Sequence, residues 1–261
     1  MALPAQETGD ADHANHLAAL TRGLAILTAF GPDRTQSTLS EFARLLDLPK
    51  GTVRRSLYTL VQLGYLETRD RYFVLAPKVL QLTKSYLTAD PIAALYQPAS
   101  ERVLAEVGSF CTVAVLSGDD IMMVARAVPT NWLSTNYGSE YRVPAFCSAL
   151  GRVLLAGLSD ADLASFIERL DPVALTPHTV TTKTTIHAAI LSVRRDGYCF
   201  IDQEAELGFR SVAVPVKRYN GTTVAAINIG ARVEAVPQAT MTGIYRDILS
   251  REASLMQRQL T

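Results

Sequence analysis

Residues 38–82 read TLSEFARLLDLPKGTVRRSLYTLVQLGYLETRDRYFVLAPKVLQL. An apolar helical segment stops at Leu48-Pro49-Lys50-Gly51, a second helix is predicted over residues 52–63, and Gly64 opens a short alternating hairpin. Helix, turn, helix and wing in that order is the layout of a winged helix-turn-helix DNA reader. At about 100° per residue, Val53, Leu57, Leu60 and Val61 fall on one side of the second helix, ready to pack on Leu39, Phe42, Leu45 and Leu46 of the first. Arg55 points nearly opposite that stripe, with Thr52, Tyr58, Thr59 and Gln62 around it and Arg54 on the flank.

Side chains of these types donate to phosphates and to base edges in the major groove. Lys50 and Gly51 stand before the helix, where unpaired backbone N–H groups suit a phosphate, and Ser40 either does the same at the first helix or caps it. The hairpin has its expected tip at Arg69-Asp70, so Arg69 and Arg71 sit where a wing touches backbone or minor groove. Any one of these arginines read alone is a solvated surface charge; the ordered pattern points to double-stranded DNA.

The remaining composition fits two joined parts. A length of 261 residues suits one large or two medium domains, and a hydrophobic fraction of 48% is enough for real cores. Net charge is zero, yet residues 37–84 hold eight Lys/Arg against four Asp/Glu, a local basic patch in a neutral chain. Cys111, Cys147 and Cys199 show neither metal-ligand spacing nor a disulfide framework, and read as buried thiols of a reducing cytoplasm. No apolar run is long enough for a bilayer, and the polar, acidic residues 1–16 are unlike a signal peptide and read as a disordered lead-in.

Leu17, Leu20, Leu24 and Leu27 predict a first helix within 17–30 of a DNA-binding domain spanning 17–76. Residues 77–90 read as a linker helix ending at Asp90-Pro91, and 91–261 as a second domain opening with a helix over 91–107. Strands are predicted at 111–116, 121–127, 197–202, 211–217 and 223–231, the last two joined by an Asn220-Gly221 turn. Helices are predicted at 148–158, from Ser159-Asp160 onward, at 185–196 and at 237–260. This order gives an α+β fold with helices mainly on one side of the sheet.

Taken together, LTRGLAILTAF, LPKGTVRRSLYTLVQLGYL, VPAFCSALGRVLLA and GYCFIDQEAELGFRSVAVPV resemble the IclR-type bacterial transcriptional regulators over nearly everything after residue 16. LPKGTVRRSLYTL, YRVPAFCSALGR and DQEAELGFRSVAVPV look most like the PobR- and PcaU-like branch that controls 4-hydroxybenzoate and protocatechuate catabolism. The resemblance implies a C-terminal GAF-like effector-binding domain whose sheet face holds a small organic acid. Carried over by position, it implies Ala149, Leu150, Asp202, Phe209, Ser211, Asn228 and Gly230 as ligand contacts, with Trp132, Thr135 and Val143 from the preceding loop.

The chemistry of these residues suits an aromatic carboxylic acid. Residues 148–151, led by Ser148, offer helix-start N–H groups to a carboxylate. Trp132, Phe146 and Phe209 offer flat apolar walls, and Asn228, Ser211 or Thr135 a partner for a hydroxyl. Trp132 also reads as core, Asp202 as a turn cap, and Arg210 as a partner of Glu204 or Glu206. An amide in the apolar strand around Asn228 is harder to read as core, because buried amides need partners.

No nucleotide, dinucleotide or zinc-protease motif is present, Cys147-Ser148 has no recognisable histidine partner, and Gly118-Asp119-Asp120 reads as a hairpin turn. A non-enzymatic regulator without cofactor or metal is expected. Its partners would be operator DNA, an effector such as 4-hydroxybenzoate, further copies of itself as a dimer or dimer of dimers, and RNA polymerase. Two other readings stay open at this point: a non-aromatic organic acid as effector, and a C-terminal domain that only oligomerises.

Overall fold

The computed structural model describes residues 17–31, 34–89, 92–130 and 142–259. Contacts divide the chain between residues 86 and 87 into two units. In the first, α1 (Ala18–Thr28), α2 (Leu39–Leu45) and α3 (Lys50–Gln62) accompany three short strands, β1 (Gln36–Thr38), β2 (Leu66–Arg69) and β3 (Tyr72–Leu75). The strands form an antiparallel sheet in the order β1-β3-β2. Its core is Ile26, Phe42, Val53, Leu57, Leu60, Leu66 and Phe73, so the expected stripe of α3 is the buried one. α4 (Leu80–Ala89) follows a single 3-10 turn over Pro77–Val79.

Three details differ from the sequence reading. The cap of α2 is Thr38, whose hydroxyl accepts from the Glu41 N–H while the Glu41 carboxylate accepts from the Thr38 N–H. Ser40 is therefore an exposed residue of the first turn rather than its cap. β1 is an addition to the expected elements, because three residues are too few to show a period. The wing turns at Asp70-Arg71, since Arg69 pairs with Tyr72 as the last rung of the ladder, and Asp70 takes the left-handed conformation that such a two-residue turn needs.

The second unit is built on a six-stranded antiparallel sheet in the order β6-β5-β4-β9-β8-β7. The strands are β4 (Phe110–Ser117), β5 (Asp120–Ala127), β6 (Arg142–Pro144), β7 (Cys199–Asp202), β8 (Phe209–Lys217) and β9 (Thr223–Arg232). Alternation along them sends Cys111, Val113, Val212, Val214, Ile227 and Ile229 to one face, against α5 (Ala93–Val107) and the C-terminal α10 (Arg246–Arg258). The alternate residues Ala114, Ala213, Ala226, Cys199 and Ile201 go to the other, against α6 (Ala149–Ala156), α7 (Asp160–Arg169) and α8 (Lys183–Asp196). Helices thus cover both faces, which corrects the one-sided expectation. The sequence of β8 and β9 is apolar at both parities, and that is the mark of a sheet buried on both sides. A short α9 (Gln238–Thr240) and a π-helical turn over Met241–Tyr245 lead into α10.

Candidate functional site

In the first unit, α3 begins at Lys50 behind Pro49, so Lys50, Gly51 and Thr52 form its first turn rather than preceding it. No side chain caps this end, and the Thr52 N–H is taken by the Pro49 carbonyl. Lys50, Gly51, Arg54, Arg55, Tyr58 and Thr59 are exposed together on the side away from Val53, Leu57 and Leu60, while Thr52 is half-buried. The Arg54 guanidinium lies 5.6 Å from the centre of the Tyr58 ring, and Tyr58 meets Phe73 of the wing edge-on at 6.3 Å. That chain of contacts fixes the reading helix to the wing. Thr59 spends its hydroxyl on the Arg55 carbonyl, which leaves its oxygen as an acceptor at the surface.

On the wing, Arg71 donates to the Tyr72 hydroxyl and lies over its ring; the hydrogen bond raises its already high pKa. Arg69 is loosely matched by Glu67 at 3.6 Å with both side chains largely in water, a weak pair that a phosphate can displace. Helix and wing therefore present one cationic, hydrogen-bonding surface with the shape of a groove reader.

In the second unit, the register places most of the expected ligand residues on the sheet face covered by α6. Ser211, Gly230 and Phe110 stand in one row across β8, β9 and β4; Ala213, Asn228, Thr112 and Arg126 form the next, ending on β5. Phe209 belongs to the same face of β8, and its ring stacks on that of Phe110 at 4.9 Å and 11°. Gly230 makes that stack possible, for a Cβ there would lie 2.2 Å from Phe110 and 2.6 Å from Phe209. In this structure it seats two rings. Val143, Phe146, Ala149 and Leu150 pack on this same side. Gly151 lets α6 close onto the turn before it, because a Cβ would strike the Ala145 backbone at 2.1 Å.

The polar groups are accounted for one by one. Asn228 is 4% exposed and its Oδ1 accepts from the Thr112 N–H at 3.1 Å. Its amide N–H donors are the part of the side chain that suits a ligand. Ser211 is buried beside it. Ser148 caps α6 by accepting from the Gly151 N–H, so its hydroxyl is already half-used. Arg152 of α6 clasps Glu204 with two bonds of 2.8 and 2.7 Å and donates a third to the Phe146 carbonyl. Glu204 also accepts from the Val180 N–H.

Asp202 does not join the group. It is paired in register with Arg210, whose parity sends both to the α5/α10 face, and there the two form an ion pair while Arg210 also holds the Val236 carbonyl. The expected pairing of Arg210 with Glu204 or Glu206 is likewise replaced. Trp132 and Thr135 lie outside the described residues. Sequence reasoning misses Phe110 because it starts the first strand of the sheet at Cys111, and it passes over Thr112 and Arg126 although both lie inside expected strands, since without the register nothing tells which face they take.

Cys147 is buried, with its thiol pushed up to about 12 by desolvation, so it is no ready nucleophile for the adjacent Ser148 region. Among the described residues there is no cluster of His, Cys, Asp and Glu that could hold a metal, and no helix long and apolar enough to cross a membrane.

Comparison with known proteins accords with this geometry. Residues 19–70 match the IclR helix-turn-helix domain, and residues 84–255 the bacterial transcriptional regulator IclR C-terminal domain. The Pca regulon regulatory protein of Pseudomonas putida is 35% identical over 243 residues, 93% of this chain and 82% of that protein. A putative transcriptional regulator, RHA06195, from Rhodococcus sp. RHA1 has a structure with TM-score 0.82 and 38% identity, covering 94% of this chain and 98% of its own. The inducer-binding domain of a double mutant of the Acinetobacter PobR transcription factor, complexed with 3-hydroxybenzoic acid, aligns with TM-score 0.59 and 28% identity over 63% of this chain and 96% of that one. A basic helix-and-wing surface joined to a helix-covered sheet, matched by both family domains along most of its length, makes this chain a member of the IclR family of bacterial transcriptional regulators.

Proposed function

We propose that this regulator senses a small hydroxylated aromatic acid, of the 4-hydroxybenzoate or protocatechuate kind, on the α6 side of its C-terminal sheet. The observation that carries this reading is the Phe110–Phe209 stack beside Asn228 and Ser211: two rings in line for a third, next to amide and hydroxyl groups that suit a ring hydroxyl. The Pca regulon relative and the hydroxybenzoate complex of the PobR domain point to the same effector class. Calorimetric titration with 4-hydroxybenzoate, protocatechuate, benzoate and pyruvate tests it. Saturable binding of a hydroxylated aromatic acid is the expected result, and binding of pyruvate alone overturns the aromatic reading.

The DNA contacts are assigned to Lys50, Gly51, Thr52, Arg54, Arg55, Tyr58, Thr59, Arg69 and Arg71, with Ser40 at the start of α2. The domain boundaries follow the sequence: 17–76 reads DNA, 77–90 links, and 91–261 binds the effector. Leu17, Leu20 and Leu24, at the start of α1, are 67%, 59% and 51% exposed at helical spacing, an apolar stripe suited to a second copy of the chain. A two-fold dimer formed there would read a palindromic operator, and two dimers would pair into a tetramer. Effector binding shifts the placement of the reading heads, and so alters operator affinity or contact with RNA polymerase. Such a regulator works where the chromosome lies, in the bacterial cytoplasm. Its chemistry is recognition, without catalysis.

A further inference from the structure

The geometry points to a phosphate-binding cavity in the DNA-reading unit, where Arg34 and Arg44 take an oxyanion beside the wing. It rests on the reading of α3 and the wing as the DNA surface, and neither arginine is among the contacts assigned there. A cavity of about 460 Å³ is lined by Arg34, Gln36 and Ser37, on and before β1, and by Glu41, Arg44 and Leu45 of α2. The three α2 residues stand at i, i+3 and i+4, which makes them neighbours on one side of the helix. Gln36 and Arg44 are exposed, and Arg34 and Leu45 are half-buried.

The charges of the lining favour an anion. Arg34 gives one guanidinium N–H to the Ala29 carbonyl at 3.0 Å, which anchors the side chain and leaves the other donors of its fork. Among the described residues no hydrogen bond or ion pair holds the Arg44 guanidinium, and Glu41 is its neighbouring charge. Glu41 is already engaged as the helix cap: its Oε2 accepts from the Thr38 N–H at 2.7 Å, the Thr38 hydroxyl at 3.0 Å and the Ser37 hydroxyl at 3.3 Å. Those bonds, the Thr38 N–H first, hold its carboxyl below the usual carboxylate range. It clasps neither arginine in a two-bond pair, so two guanidiniums against one carboxylate leave the lining net cationic.

Position points to the phosphate of a DNA backbone. Thr38 pairs in register with Tyr72, and Glu41 is a neighbouring charge of Arg71 at the wing turn. Ser40 stands next to Glu41 at the start of α2. The cavity therefore adjoins the wing and the α2 start, beside the groove that α3 reads. A guanidinium fork fits phosphate oxygens two at a time. Such a contact fixes the protein on the duplex without reading its sequence. Free phosphate offers the same oxygens.

The test measures binding of the full-length protein to duplex DNA of mixed sequence at several sodium chloride concentrations, together with calorimetric titration with sodium phosphate at constant ionic strength. Arg44→Gln should weaken DNA binding roughly three- to tenfold and lower the magnitude of the slope of log K against log salt by about one. Glu41→Gln keeps the cap, because glutamine also serves in a capping box, and should act the other way, with tighter binding. A merely structural loss does not give that sign. Should Arg44→Gln not fold, Glu41→Gln carries the test alone. A reduced slope without uptake of free phosphate places a DNA phosphate in the cavity. Phosphate uptake that Arg44→Gln abolishes, with the slope unchanged, makes free phosphate the occupant. Wild-type protein that takes up no phosphate, with slope and affinity for DNA unchanged in both variants, overturns the cavity site and leaves α3 and the wing as the DNA surface. Wild-type protein that does not bind duplex DNA overturns that surface instead, and the phosphate titration then decides the cavity by itself.

Discussion

Arg152 and Glu204 face each other through two parallel hydrogen bonds of 2.8 and 2.7 Å, with their side chains 6% and 11% exposed. The pair ties the start of α6 to the segment between β7 and β8. The Phe146 carbonyl and the Val180 N–H are bound to the same two residues, and Thr176 and Thr179 hold the Gln203 and Glu204 carbonyls from outside. Three stretches of chain on the α6 side of the sheet thus share one buried charge pair.

Glu204→Gln or Arg152→Met should therefore be costly, about 3–5 kcal/mol, because each leaves a buried charge without its partner. The double variant Arg152→Met/Glu204→Leu should recover most of that loss, since no uncompensated charge remains. Denaturant unfolding of the two single variants and the double variant measures it. Single and double variants equally destabilised would mean that packing, and not charge, holds these segments.

Gly230→Ala puts a methyl group where Phe110 and Phe209 already meet. Overpacking of this kind costs about 1–3 kcal/mol, and here it must spread the stack. The expected result is a lowered Tm together with loss of the thermal shift given by 4-hydroxybenzoate, while operator binding without effector stays near wild type. An unaltered effector shift would remove the ring stack from the binding site.

The first unit is easy to read in the sequence because its period is simple: Val53, Leu57 and Leu60 bury one face of α3, so the charged residues have to lie on the other. The cap at Thr38 is legible too, through Glu41 three residues on, but Ser40 offers the same chemistry two positions later. In the second unit the strands are recognisable and the faces are not. β8 and β9 are apolar at both parities, so only register separates Ser211 from Arg210, and through the β7–β8 pairing Ile201 from Asp202. Asp202, carried over by position from the resemblance, stands with Arg210 on the α5/α10 face. Gly230 shows a second limit: a glycine in a strand announces close approach, but not whether a ligand or two rings of the chain itself come close. The Arg152–Glu204 pair joins residues 52 apart in the chain, and nothing local foretells it.

Arg55→Ala should weaken operator binding and flatten its dependence on salt. The side chain is exposed and faces away from the core, so thermal stability should stay within about 0.5 kcal/mol of wild type. If Arg55 neutralises one phosphate, the slope of log K against log salt should fall in magnitude by roughly one. Electrophoretic mobility shifts at several salt concentrations measure it. Weakened binding with an unchanged slope would make Arg55 a reader of bases, and unchanged binding would remove it from the interface.

Cys111, Cys147 and Cys199 are all buried, and desolvation pushes each thiol from 9.0 up to about 12. At pH 8 the native protein should react slowly with a thiol reagent such as dithionitrobenzoate, and the denatured chain should release three equivalents at once. An unfolded thiol ionises near 9 while the native one stays protonated, so between pH 9 and about 12 the unfolded state binds fewer protons and stability falls as pH rises. The contribution is fully present below about pH 9. Denaturant unfolding at about pH 8 and about pH 10 should show the lower midpoint at the higher pH. Fast labelling of Cys147 in the native protein would mean that the turn before α6 opens, and a fast reaction slowed by 4-hydroxybenzoate would place that opening at the effector site.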